Sequence, residues 1–212
     1  MRKTEGANNS TMENGQLAEE VLAFWFGELD SLGLCAEARN KLWFQSSPQV
    51  DAQVRDRFGG LVEAALEGEL EDWAASPGGL VALVILLDQF TRNIYRGTAA
   101  AFSGDQRALQ LARNAVNRGD DARLPIIHRV FLYMPFEHSE ELSDQEEGIR
   151  CFDRLLEDCE VAARDEVESF RRYMQAHRDV IAQFNRFPHR NAILGRESTP
   201  EEMAHLEKHG GF

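Results

Sequence analysis

Three stretches of this sequence set titratable side chains among aromatic and apolar neighbours, the mixture expected where polar groups are held in place rather than solvated at random. The first is Leu87-Asp88-Gln89-Phe90-Thr91-Arg92-Asn93, in which Asp88 and Arg92 are four residues apart and share one face of a helix. The plain structural reading is a buried ion pair at a helix end. The second is Met134-Pro135-Phe136-Glu137-His138-Ser139-Glu140, where Pro135 should kink or end a helix. Adjacent Glu137 and His138 point to different sides of a helix, so any acid–base partner must come from elsewhere; helix-end capping is the alternative. The third runs from Tyr173 to Arg196 and carries His177, Arg186, His189, Arg190 and Asn191.

The third stretch holds a charge anomaly. Residues 171–196 carry six arginines against the single acid Asp179, whereas 137–168 carry thirteen acids against three arginines. A cationic surface on an acidic protein can hold a phosphate or carboxylate; equally, the arginines can simply pair with the acidic segment. His177 falls on the apolar stripe Val167, Phe170, Met174, Ile181 and Phe184, where a hydrogen-bonded core histidine is as good a reading as a ligand or catalyst. Pro188 takes Phe187 out of helical geometry, which leaves His189, Arg190 and Asn191 in a loop, the better place for a site. No nucleophile elbow, phosphate loop, zinc-protease or di-iron pattern is present. His138, His177, His189 and Glu137 have no spacing that demands a metal, and no cofactor is implied.

The elements that must position these residues are helical. Apolar positions recur at three and four, as in Val50, Val54, Phe58, Leu61 and Ala65, and sustained alternation is absent. Ser47 before Pro48, Ser143 three residues before Glu146, and Thr199 before Pro200 and Glu202 are helix-start patterns. The spacing predicts helices near 16–27, 36–44, 48–67, 69–75, 79–94, 104–118, 124–136, 143–159, 163–187 and 199–208. Their short links favour an all-α fold of stacked antiparallel helical hairpins, either as a compact bundle or as a solenoid-like array. Leu80–Leu87 is apolar on every side and should be the central helix.

Composition bounds the rest. Of 212 residues, 43% are apolar and 28% charged, a globular balance for a single helical domain over 15–212, with 1–14 expected as a disordered tail. The formal charge of −13 disfavours nucleic acid and anionic lipid. Cys151 and Cys159 stand about 12 Å apart along one helix and cannot bridge, so with Cys35 they read as reduced thiols of a cytoplasmic protein. No segment has the length of a membrane span or the form of a signal peptide.

Leu-Asp-Gln-Phe-x-Arg-Asn at 87–93, Pro-Phe-Glu-His-Ser-Glu at 135–140 and Arg-Phe-Pro-His-Arg-Asn at 186–191 resemble the bacterial domain of unknown function family 924. Phe24-Trp25-Phe26-Gly27, Trp43-Phe44 and Leu194-Gly195-Arg196-Glu197-Ser198-Thr199 extend the resemblance over about 18–207. It implies a tetratricopeptide-repeat-like helical fold and no particular activity. Thr91 stands where the family pattern usually has proline, and Asn185 where it usually has glycine.

Three functional readings follow. In the preferred one, an Arg/His-lined pocket of Asp88, Arg92, Asn93, Glu137, His138, His177, Arg186, His189, Arg190 and Asn191 binds a small anionic ligand or an acidic peptide. In the second, a hydrolase or transferase uses His189 or His177 as general base, with Glu137 as its partner and Arg190 stabilising negative charge. In the third, the same motifs lock helices together and an acidic surface meets a protein partner.

Overall fold

The computed structural model describes residues 3–45 and 47–210, with side chains from Asn14 onward. The described chain is all-α. Its helices are α1 (Lys3–Phe26), α2 (Asn40–Phe44), α3 (Pro48–Glu67), α4 (Pro77–Val84), α5 (Thr91–Ile94), α6 (Asp105–Arg118), α7 (Ile126–His138), α8 (Leu142–Asp158), α9 (Arg164–Phe184) and α10 (Pro200–His209). Short 3-10 turns lie at Glu71–Ala75, Ala99–Phe102, Asp121–Arg123, Val161–Ala163 and Pro188–Arg190. Strand-like pairing among the described residues amounts to one isolated bridge between Leu29 and Cys35.

Helix starts follow the side chains that can take up the first free N–H groups. Ser47 accepts from the N–H of Val50 ahead of Pro48, Ser76 does the same for Gly79 ahead of Pro77, and Thr199 and Glu202 form a reciprocal capping box. The start expected at Ser143 is different: α8 begins a residue earlier, and its N-cap, Glu141, makes no side-chain capping bond. The expected helix over 36–44 shortens to 40–44, and that over 69–75 is a 3-10 turn. α1 begins at Lys3, within the stretch 1–14 expected as a tail, of which Met1 and Arg2 lie outside the described residues.

Leu80–Leu87 is the centre of the molecule, each residue 3% exposed or less. It is not one regular helix. From Ile85 to Phe90 the rod widens into a π turn between α4 and α5, the kind of irregularity that recurs at functional positions. Thr91 ends that turn and donates its hydroxyl to the Leu87 carbonyl at 2.8 Å. Threonine thus fits a site where the family resemblance suggests proline, by supplying a donor to a carbonyl in the widened turn. Around this rod α1 brings Trp25, whose ring meets Phe90 at 5.3 Å between centroids, and α7 brings Phe131, 5.9 Å from Trp25. α7, α8 and α9 pack in succession through short links, and Val180, Ile181 and Phe187 form a small second apolar cluster. No helix among the described residues is long and apolar enough to cross a membrane.

Candidate functional site

The three polar stretches meet at one end of the central rod. Asp88 emerges from the π turn with no exposed surface. Its carboxylate accepts from Gln89 Nε2 at 2.6 Å, lies 2.7 Å from His138 Nδ1 and stands 3.5 Å from the Arg92 guanidinium. Arg92 also donates to the Asp88 carbonyl. Burial pushes the Asp88 carboxyl up, but His138 and Arg92 outweigh it and hold the group at about 2. At neutral pH Asp88 is therefore ionised and receives the Nδ1–H of a neutral His138, whose own affinity for a second proton is lowered, chiefly by burial and then by Arg92.

Asp105, at the start of α6, closes the other side. It accepts two bonds from Arg92, at 2.9 and 3.1 Å, and lies 3.7 Å from Arg190. The approach depends on Gly104: a Cβ there would collide with the Leu87 carbonyl. Arg190 is 7% exposed. Its guanidinium sits 4.7 Å from the Phe102 ring centre and 4.5 Å from that of Phe187, and its buried Nε has no hydrogen-bond partner among the described residues. Burial, with Arg92 close by, lowers its proton affinity to about 10.

Glu137 enters from the last turn of α7. Pro135 was expected to kink or end that helix, yet α7 continues to His138. The helix end is secured from α8: buried Gln145 donates to the carbonyls of Glu137 and Ser139 at 2.6 and 2.7 Å. Glu137 and His138 do point apart and find separate partners, as their adjacency requires. The Glu137 carboxylate lies 3.5 Å from His177 Nδ1, and burial, reinforced by the Asp88 charge, pushes it up to about 8. His177 Nδ1 also lies 2.9 Å from the Tyr173 carbonyl, and its ring is 6.5 Å from that of His138. Burial lowers His177 to about 3 and His189 to about 4.

The loop bearing His189 and Arg190 is tied down by Glu140, which accepts the Phe187 N–H at 2.8 Å and two bonds from Arg196 at 2.6 and 2.9 Å. Asn185, at φ 56°, provides the left-handed turn that ends α9, so asparagine serves where the family resemblance suggests glycine. The stretch 188–190 is a 3-10 turn and not open loop.

Seven of the ten side chains singled out in the sequence thus lie in one connected cluster: Asp88, Arg92, Glu137, His138, His177, His189 and Arg190. The other three face elsewhere. Asn93 donates to Asp51 at 2.8 Å, beside Arg96. Arg186 grips Glu202 at 2.6 and 2.8 Å, and Asn191 donates to the same carboxylate at 3.1 Å. These contacts fasten α3 and α10. Sequence reasoning passed over Asp105, Phe102 and Gln145. Asp105 is a lone acid in the first turn of α6, and nothing local marks the other two. Among the described residues no group of three or more His, Cys, Asp or Glu side chains is placed to hold a metal ion.

Residues 21–210 match the family described as Bacterial protein of unknown function (DUF924). The solved structure of a protein of unknown function from Agrobacterium tumefaciens is 33% identical, superposes with a TM-score of 0.76, and the match covers 92% of this chain and 99% of that one. No curated protein matches. The chain belongs to the bacterial family of unknown function DUF924.

Proposed function

We propose that this protein binds a small anion, a carboxylate or phosphate group, at Arg190, beside the end of α7 and the start of α6. The observation that carries the reading is Arg190. A guanidinium that is almost wholly buried is normally matched by a close carboxylate. Here the nearest one is 3.7 Å away and already receives both Arg92 bonds, while two aromatic rings hold the cation in place. An incoming anion would supply the missing partner.

The local charge favours a single negative charge. Asp88 and Asp105 offset Arg92 and Arg190, and Glu137, His138, His177 and His189 are neutral near pH 7 given the directions of their shifts. The surroundings of Arg190 are then close to neutral, and each further negative charge placed ~4 Å from one of these carboxylates costs about 4 kcal/mol at an effective dielectric of about 20. A carboxylate fits this better than a phosphate dianion. Stacked helical hairpins of the tetratricopeptide kind are the scaffold we associate with this reading.

Thermal unfolding with succinate, glutarate or inorganic phosphate tests the proposal. At ~100-fold excess over Kd, a true ligand stabilises by about 2.7 kcal/mol. We expect a carboxylate to raise the Tm of the wild type and to leave Arg190→Leu unmoved. Without ligand that variant should remain folded, within about 2 kcal/mol of wild type, because a shorter apolar side chain replaces a poorly paired buried cation. If no anion shifts the wild type, the cluster is scaffolding of the kind seen at Arg186 and Glu202.

A further inference from the structure

We infer that His205 and His209 form a chelating pair for a late first-row divalent metal ion, Ni2+, Cu2+ or Zn2+, which clamps the last turn of α10. The inference is independent of the anion site at Arg190. In the segment His205-Leu206-Glu207-Lys208-His209 the two histidines are four residues apart, so they lie one above the other on one face of the helix. Their ring centres are 4.8 Å apart. A metal held through a ring nitrogen at about 2.0–2.1 Å sits about 3.2 Å from the centre of that ring. Two rings 4.8 Å apart then subtend an angle of about 97° at a shared ion, between the ~90° of tetragonal and the ~109° of tetrahedral coordination. The rings as they stand are tilted by 31° to one another. His205 is half-buried against Phe184, with 5.1 Å between ring centres, which restricts its imidazole; His209 is exposed and has the freedom to turn toward it.

The surroundings suit a cation. The last turn of a helix is the negative end of its dipole, and a chain of net charge −13 draws cations to its surface; Lys208 is the opposing charge nearby. Burial, then the charges of His209 and Lys208, lower the proton affinity of His205, which leaves its ring nitrogen open to a metal at neutral pH. Imidazoles prefer nickel, copper and zinc, whereas magnesium and calcium require oxygen ligands. Among the described residues no third His, Cys, Asp or Glu joins the pair, so solvent completes the coordination and the ion is exchangeable. The effect of such a clamp follows from how α10 is attached. The helix has ten residues, of which Glu202 is buried, and a helix this short is marginal in water by itself. Glu202 lies in the first turn, where it receives Arg186 and Asn191. Chelation across 205–209 ties the opposite end, and by linkage it stabilises the helix that carries this anchor.

Calorimetric titration of the full-length protein at pH 7.5 with NiCl2, CuCl2 and ZnCl2, beside MgCl2 as control, tests the pair. We expect one site that takes Cu2+ most tightly and ignores Mg2+. His205→Ala and His209→Ala should each weaken Ni2+ binding by about 100-fold, because the loss of one of two linked ligands removes the chelate gain. Exposed His209 makes the second variant the cleaner one, since its fold does not depend on that ring. Hydrogen exchange at the amides of 203–209 should slow when Ni2+ is added to the wild type and stay unchanged in His209→Ala. Undiminished Ni2+ affinity in both variants places the ion elsewhere, at the thiols or the other histidines, and overturns the inference. A response to Mg2+ equal to that to Ni2+ means screening of the acidic surface and overturns it as well. Chelation through both histidines with unaltered exchange in α10 overturns the clamp and upholds the metal pair.

Discussion

Glu137 shows how burial and one neighbouring charge set the behaviour of a single residue. Its carboxyl moves from an ordinary 4.5 to about 8, so the folded protein keeps a proton that the unfolded chain releases in that interval. The stabilisation is complete below about 4.5 and is lost as pH rises through about 8, with a slope of at most about 1.4 kcal/mol per pH unit. Urea unfolding of Glu137→Gln across pH 5 to 9 should therefore give a flatter profile than wild type, the variant gaining on wild type as pH rises to about 8 and keeping a constant lead beyond. A variant as steep as wild type would mean that Glu137 is ionised in the fold. The pairing of Asp88 with His138 was not readable from the sequence, because fifty positions separate them and either could have chosen another partner. What could be read was that Glu137 and His138, as neighbours, needed separate ones.

At the scale of elements, the cluster depends on three departures from regular helix: the π turn at Ile85–Phe90, the passage of α7 through Pro135 and the left-handed Asn185. None leaves a strong local signature. A run of residues that is apolar all round has no face, so a change of helical register inside it does not alter the pattern. Pro135 is tolerated because the bonds from Gln145 hold the helix end from another element. By contrast, the starts of α3 and α10 were legible, since Ser47 and Thr199 act through their own side chains within three residues. Asn185→Ala should cost about 1 kcal/mol in chemical denaturation, and Asn185→Gly should cost nothing or stabilise, because only the alanine methyl opposes the left-handed backbone. Gly104→Ala should lower Tm and weaken succinate stabilisation together, since the Leu87 carbonyl blocks the added methyl and Asp105 is displaced with it.

Over the whole molecule, titrating groups pull stability in opposite directions. His128, His177 and His189 are held at about 4, 3 and 4 by burial, so each stabilises fully above about 6.5 and loses that contribution as pH falls through its folded value. Asp88 and Glu202, both held at about 2, likewise stabilise above the ordinary carboxylate range and weaken below it. Among the shifted carboxylates of the described residues, Glu137 and, in direction, Asp105 work the other way. Thermal unfolding should therefore show Tm climbing from pH 3 to a maximum near about 6.5 and declining toward pH 8; a maximum near pH 4 would contradict the neutral histidines. The charge segregation in the sequence indicated this internal traffic only in part. Arg171, Arg178 and Arg196 do pair with the acidic segment, at Asp153, Glu146 and Glu140, but Arg190 does not, and that exception needed coordinates. The three unpaired thiols carry a separate consequence. Burial pushes Cys35 up to about 11 and Cys151 to about 12, so almost no thiolate exists in the closed protein and an alkylating reagent must wait for the helices to part. The rate at which Cys151 is labelled is thus a clock for how often α8 opens away from its neighbours, and a bound anion that clasps α6, α7 and the 187–190 turn should slow it.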